Sequence, residues 1–567
     1  MSLGRPLLSA TQEAATQEAP PREARTRELP ELDFATAWEA IADEIPEADA
    51  LVQGELCRSW SEYEDRAARL AAALSAAGVG PRANVGLCLY NGPEYSEAQF
   101  AAFKVRATPF NVNYRYTAPE LRSLLEDADT EALFFDASLA GPIGEIREAL
   151  PAIRLFVQVG GDATPEWASD YEGLIASHSP APRIERSPDD LWMLFTGGTT
   201  GRPKGVLWPH ASMIGTMKAT YRGLKQEVPR TIEELLTSVR AIHDAGRVTR
   251  QLAAAPLMHG TSGISALTTH MTGGAVLTLE GRSFSGSELF RCVERHRATH
   301  LTIVGDAFSR PMLEALAEAE ARGDPHDLSS IFLILSSGVM WSAPVKQALL
   351  ARNPRMRLMD SVGSSEGVGF ASKLEGDPEG TTTARFRLSD LARVLTEDGR
   401  EVEPGSGERG RLALGGPLPI GYYKDPEKSE QTWPTIGGQR YSIPGDFATV
   451  ESDGSIVLLG RGSACINSGG EKIYPEEVEE ALKLDPAVVD CNVVGVPDAR
   501  WGEAIAAVVK LRDASVTDQS LVRSVKRRLA SYKAPKHVVR VDEFVRSPNG
   551  KSDYRWAARV AREALDR

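Results

Sequence analysis

Cysteine is scarce in this chain: five residues in 567, at Cys57, Cys88, Cys292, Cys465 and Cys491, scattered and without a CxxC pair. That excludes a disulfide framework, argues against a cysteine zinc site and fits a reducing cytoplasm. Long apolar runs are also missing, since no stretch approaches the roughly 18 residues of a membrane span. The N-terminal stretch MSLGRPLLSATQEAATQEAPPREARTRELPE lacks the apolar segment and small-residue cleavage site of a secretory signal. Rich in Glu, Ala, Pro and Arg, residues 1–30 read as a mobile tail. Cations are outnumbered, with Lys+Arg 64 against Asp+Glu 78 and a net charge of −14. Such a chain is not built to hold nucleic acid or an anionic membrane broadly; an anionic ligand must meet a local basic patch.

What is present is ordinary for a globular protein, with 42% hydrophobic and 25% charged residues. The length calls for more than one domain. Helical spacing runs through ATAWEAIADEIPEADALV and SEYEDRAARLAAALSAAGVG, where Ser61 is expected as an N-cap and Gly78 and Gly80 as the stop. The β-rich runs VGLCLY (85–90), ALFFDA (132–137) and RLFVQVG (154–160) follow, so an α/β fold of mixed sheets flanked by helices is expected. Residues 221–250 look like a polar, helical surface insertion. The sharpest boundary falls near Arg461, after a hairpin centred on Asp453-Gly454. A small α+β unit then begins, with a helix at PEEVEEALKL, strands at 488–496 and 504–512, and a helix over SLVRSVKRRLASYKAP. The division is therefore 1–30 tail, 31–461 large domain, 462–567 small domain.

TGGTTGRPKG, Thr196 to Gly205, gathers glycines, threonines and Lys204 directly after the buried-strand run LWMLF. Glycine lets backbone amides converge on an anion, hydroxyls add donors and lysine adds a compact charge. It is not a Walker loop, because Arg202 follows Gly201 and Gly205 follows Lys204. In DSVGSSEG, Glu366 is a candidate for one of the one or two carboxylates that hold Mg²⁺ on a triphosphate. Asp446, after a Pro-Gly turn and before a strand, is placed as ribose-binding acids are. Arg461 and the glycine-rich INSGGEKIYPEEVE stand at the domain boundary, where hinges are common, and Lys551 lies in PNGKSDY. Singly, each of these is as compatible with a turn or a solvated side chain as with chemistry.

Together, and in this order, the five motifs resemble the adenylate-forming superfamily: acyl-CoA synthetases, beetle luciferases and adenylation domains of peptide synthetases. VLWPH, APLMHGT, IVGDAFSRP and INSGGEKIYPEEVEEAL look most like bacterial fatty-acid and steroid-side-chain CoA ligases. The resemblance implies a large adenylation domain and a small C-terminal lid that rotates between two half-reactions, using ATP, Mg²⁺ and coenzyme A. It implies that Thr196, Gly197, Gly198, Thr199, Thr200 and Lys204 grip the β- and γ-phosphates. Ser337, Gly338, Asp360, Ser361, Val362, Gly363, Ser364 and Ser365 would line the nucleotide, with Glu366 on the metal. Asp446 and Arg461 would bind the ribose, and Lys551 would bridge the carboxylate and the α-phosphate. Gly469 and Gly470 would line the pantetheine path, while Lys526, Arg527, Arg528, Lys533 and Lys536 face either CoA phosphates or plain solvent. Two positions depart from the pattern: Val362 replaces an adenine-stacking aromatic, and Ser463 replaces the hinge Asp or Lys.

The resemblance places the acyl group among His259, Gly260, Thr261, Val304, Gly305, Val339, Gly363 and Val368, small and apolar residues suited to an uncharged acid. Asp306 reads as the cap of the helix that follows it. HRATH (296–300) imitates a metal pair but lacks the glutamate of HExxH. The expected protein is a cytoplasmic AMP-forming acyl-CoA synthetase for a fatty or bulky alicyclic acid, with the oligomeric state open and a homodimer one option. The alternatives are an enzyme that loads a carrier protein, told apart by failure to use free CoA, and a luciferase-like oxygenase, told apart by light or oxygen uptake.

Overall fold

The computed structural model describes residues 29–196, 203–338, 341–374, 385–461, 466–468, 471–498, 502–529, 531–546 and 552–565. Helix Phe34–Glu44 is the first helix of the described residues, its first turn fixed by Asp33, whose carboxylate accepts the Thr36 amide at 2.8 Å. Helix Trp60–Ala76 is capped by Ser59, not by Ser61 as the sequence suggests. The reason is reciprocity: Glu62 stands three residues after Ser59 and returns a bond to its amide, completing a capping box. Gly78 then takes φ +76° and ends the helix.

Among the described residues, an eight-stranded sheet carries five strands parallel in spatial order: Thr108–Asn111, Asn84–Cys88, Thr130–Asp136, Leu155–Val159 and Ser169–Asp170. Leu191–Thr196 adds in parallel, and Lys204–Pro209 and Gly421–Tyr422 close that edge antiparallel. A thirteen-stranded sheet has a parallel centre of Ala275–Thr278, Arg250–Ala253, His300–Ile303, Leu333–Ser337 and Arg357–Ser364. It continues into antiparallel strands that include the hairpin Asp446–Val450 and Ser455–Arg461, turning at Gly454 with φ +79°. After Arg461 the strands form a separate five-stranded sheet, packed by helices Pro475–Lys483, Asp518–Lys526 and Tyr554–Leu565. The second of these helices starts at Asp518 behind the Thr517 cap and stops at Lys526, so Arg527 and Arg528 lie beyond it.

Residues 221–250 are not a loose surface insertion. Helix Ile232–Asp244 buries Leu235, Val239 and Ile242 at 0% exposure, and the buried Tyr221 donates its hydroxyl to Met271 O at 2.7 Å. The polar pattern is the outer face of an amphipathic helix.

The core between the sheets encloses two histidines. His270 sits among Trp38, Trp60 and Tyr63, with ring centroids 5.2, 5.4 and 5.2 Å away, and His210 packs on Phe34 and Phe103. Burial depresses both imidazoles, His210 to about 3 and His270 to about 4. The unfolded chain, with histidines near 6.5, therefore binds more protons across that interval, and stability is lost as pH falls below about 6.5. Urea midpoints followed by tryptophan fluorescence should decline steadily from pH 7 to pH 4.5; a flat profile would contradict this account.

Candidate active site

The strand Leu191–Thr196 is sequestered by apolar Trp192, Met193, Leu194 and Phe195, and a buried amide fixes its end. Asn111 Nδ2 donates to Phe195 O at 2.9 Å and the Phe195 amide donates to Asn111 Oδ1 at 2.7 Å, imitating a strand partner. Thr196 thus leaves the sheet at a set position, directly opposite Lys204 in the antiparallel register. Gly205 lets the two strands pack closely here: a Cβ would lie 2.7 Å from Met193 Sδ, so Met193 would have to shift to admit one. Gly197, Gly198, Thr199 and Thr200, which the sequence assigns to phosphate, lie outside the described residues, as do Val339, Gly469, Gly470 and Lys551.

Lys204 Nζ is 2.7 Å from Asp425 Oδ2 and 5.0 Å from the centroid of the Tyr422 ring. The lysine holds the Asp425 carboxyl below its ordinary range. Tyr422 reaches this place because Gly421–Tyr422 pairs with the strand that Lys204 begins, with Tyr422 opposite Val206. Its hydroxyl donates to Glu366 Oε1 at 2.9 Å. Lys204 and Glu366, distant in sequence, are therefore held at the two ends of one tyrosine.

Glu366 occupies the turn between strands Arg357–Ser364 and Gly367–Leu374. Three nearly or fully buried side chains grip its main chain: Trp208 Nε1 donates to Ser365 O at 2.9 Å, Trp433 Nε1 to Glu366 O at 3.0 Å and Ser442 Oγ to Glu366 O at 2.7 Å. The carboxylate is aimed by its backbone as well as by Tyr422. A carboxylate on a fixed turn is a donor of the kind that could hold a divalent cation. Among the described residues no three His, Cys, Asp or Glu side chains converge into an all-protein metal cage.

The other motif residues collect at the ends of parallel strands, where α/β sheets hold ligands. Register places Ile303 beside Ser336, Ser336 beside Asp360 and Ser337 beside Ser361, so Val304 and Gly305, Ser337 and Gly338, and Ser361 to Gly363 share one rim. The Gly305 amide donates to Ser336 Oγ at 2.9 Å. Gly260, at the start of helix Gly260–Met271, has room for no more than a light contact, since a Cβ would stand 3.3 Å from Leu194 Cδ2. The segment of His259 to Thr261 thus lies against the strand that carries Thr196. Val368 packs partly buried against the main core. Asp446 stands opposite Arg461 in its hairpin, and Phe447 meets Tyr474 of the C-terminal unit with ring centroids 6.4 Å apart.

Asp306 is a correction to the sequence reading. It lies inside helix Gly305–Ala321, and its Oδ1 accepts from the Ser342 amide at 2.9 Å, while Oδ2 pairs with Arg310. It fastens the start of the next helix rather than capping its own. His296 ends a helix and its Nε2 donates to Gly54 O at 2.9 Å, whereas His300 opens a strand, so the two imidazoles share no helix face. Of the basic residues near helix Asp518–Lys526, Lys533 is committed to Glu477 at 2.5 Å and Arg528 to Ser524. Tyr422, Asp425, Trp208, Trp433, Ser442 and Lys346, which forms a buried ion pair with Asp360, are the participants that sequence reasoning misses. The only local signal among them is the Asp-Pro-Glu start of helix Pro426–Thr432.

Residues 38–423 match the model of the AMP-binding enzyme family, and residues 477–551 match the AMP-binding enzyme C-terminal domain. The chain is 39% identical over 537 residues to the 3-oxocholest-4-en-26-oate–CoA ligase of Rhodococcus rhodochrous, covering 93% of this chain and 95% of that one. It is 38% identical over 540 residues to the medium/long-chain-fatty-acid–CoA/3-oxocholest-4-en-26-oate–CoA ligase of Mycolicibacterium smegmatis, covering 94% and 97%. Its fold is similar to that of an anthranilate CoA ligase solved in complex with anthranoyl-AMP, with a TM-score of 0.80, 20% identity and coverage of 95% and 98%.

Proposed function

This chain belongs to the AMP-binding enzyme family and is an acid–thiol ligase, and we propose that it activates a hydrophobic acid of the fatty or steroid-side-chain class. In the first half-reaction a carboxylate oxygen attacks the α-phosphorus of ATP and the bond to the β-phosphate breaks, releasing pyrophosphate. In the second, the sulfur of CoA attacks the acyl carbon, the bond to AMP breaks and the thiol proton is lost to solvent. The observation that carries this reading is the joining of Lys204 to Glu366 through Tyr422, beside the rim of Ser337, Asp360 and Gly363.

In this reading Thr196 and Lys204 hold the terminal phosphates while charge passes to the leaving group. Glu366, aimed by Tyr422, Trp433 and Ser442, would hold magnesium, which supplies charge neutralisation across the phosphates. Asp446 takes the ribose hydroxyls with Arg461 across the hairpin. Residues 31–461 act as the adenylation domain and 462–567 as the lid. His259, Gly260, Thr261, Val304, Gly305 and Val368 offer the acid an apolar surface. No helix among the described residues is long and apolar enough to cross a membrane.

A panel of fatty, aromatic and alicyclic acids with ATP and CoA, read by AMP release, tests the substrate class; preference for a small aromatic acid would overturn it. The lid assignment has its own test. Gly469→Trp should abolish thioester formation while pyrophosphate exchange continues, because only a small residue admits the pantetheine arm. Unchanged CoA turnover would remove Gly469 from that path.

A further inference from the structure

The cation assigned to the terminal phosphates already has an anion. Lys204 Nζ is 2.7 Å from Asp425 Oδ2, with the two side chains 25% and 36% exposed. Asp425 is fixed independently of this lysine. Its Oδ1 accepts the Lys428 amide at 3.0 Å as the cap of helix Pro426–Thr432. Its main-chain oxygen accepts Ser429 Oγ at 2.6 Å, and that same Oγ accepts the Tyr422 amide at 2.8 Å. The carboxylate is therefore part of a rigid corner, whereas lysine is a point charge on four rotatable carbons. Of the two partners, the lysine is the one free to turn away. The Tyr422 ring lies 5.0 Å beneath Nζ, and its hydroxyl holds Glu366, so a lysine leaving Asp425 stays over a surface tied to the proposed metal ligand.

We propose that Asp425 is a resident counter-anion for Lys204, holding it over Tyr422 before the triphosphate arrives and exchanging it for phosphate oxygen on binding. The inference rests on the reading of Lys204 as a phosphate ligand. Asp425 is thereby a positioning residue that prevents an unpaired lysine from straying in the partly enclosed site. By competing for the lysine it lowers the affinity of Lys204 for the departing pyrophosphate and favours release of that product.

The sign of the effect separates this role from a structural one. Asp425→Asn keeps the shape and the helix cap, since asparagine caps as well as aspartate, but removes the competing charge. It should tighten pyrophosphate binding by about three- to tenfold, measured by titration calorimetry on the full chain with pyrophosphate as the probe. Asp425→Ser, which also caps, should move in the same direction and guards against a folding artefact. Lys204→Ala should weaken binding, and in the Lys204→Ala background Asp425→Asn should lose most of its effect. Unchanged or weaker binding in Asp425→Asn, or equal tightening without Lys204, overturns the exchange while leaving the phosphate reading in place. Unchanged binding in Lys204→Ala overturns the phosphate reading itself.

Discussion

Lys551→Ala is expected to slow acyl-adenylate formation by about 10²–10³-fold or more while sparing thioester formation from supplied acyl-adenylate. Arg546 and Ser552 bridge one another, so they form the two feet of the segment that carries Lys551. Arg546 is anchored by two bonds to Asp490, each 2.7 Å, and Lys483 approaches the same carboxylate at 3.2 Å. Burial alone would raise the Asp490 carboxyl, but the two cations overrule it and hold it low. Helix Tyr554–Leu565 begins two residues after Ser552 and fixes the other foot on the five-stranded C-terminal sheet. In the proposed role the Lys551 charge meets the charge that builds between carboxylate and α-phosphate only during the first attack, and alanine removes that charge alone. Pyrophosphate exchange reads the first half-reaction, and thioester yield from synthetic acyl-adenylate reads the second. Equal loss in both would remove Lys551 from this role.

The α/β architecture is legible in the sequence because its signals are local. Alternating apolar runs, Gly78 as a helix stop and Asp453-Gly454 as a hairpin turn each need only their neighbours. Ser61 misleads because two serines compete, and the outcome depends on which has glutamate three residues on. The segment 221–250 misleads because composition alone does not reveal that its one apolar stripe meets helix Phe34–Glu44.

The motif residues can be named from the sequence since glycine loops and isolated charges stand out from their surroundings. Their supports cannot. Tyr422 reads as one of two adjacent tyrosines in GYYKDP, and nothing local says that one hydroxyl meets Glu366 while Tyr423 meets Asp129. Trp208 and Trp433 read as core aromatics, and they are, yet each spends its indole N–H on the turn that carries Glu366. Such partners are set by sheet register, here the pairing of Gly421–Tyr422 with the edge strand Lys204–Pro209, which is a tertiary fact. Lys346 is hidden for the same reason: on its helix it looks like a solvated lysine, but it is 1% exposed.

Lys346→Met should carry the largest loss of stability, about 3–5 kcal/mol. The Lys346 side chain, 2% exposed, pairs with Asp360 at 8%, and Nζ lies 5.5 Å from the Trp341 ring. Methionine fills the channel of the lysine stem, so the cost is not a cavity. It comes from a carboxylate left in the interior short of its cation. Asp360 lies beside Ser336 in the sheet register, next to the rim proposed for nucleotide, so a loosened Asp360 should weaken AMP binding as well. Chain length rules out a simple two-state treatment, and the measurement is the urea midpoint of the transition seen by intrinsic tryptophan fluorescence. Adding Asp360→Asn should restore much of the midpoint, because removing both charges avoids the buried ion that one removal leaves behind. A single-variant midpoint indistinguishable from that of the parent would show that Asp360 is not held by this pair.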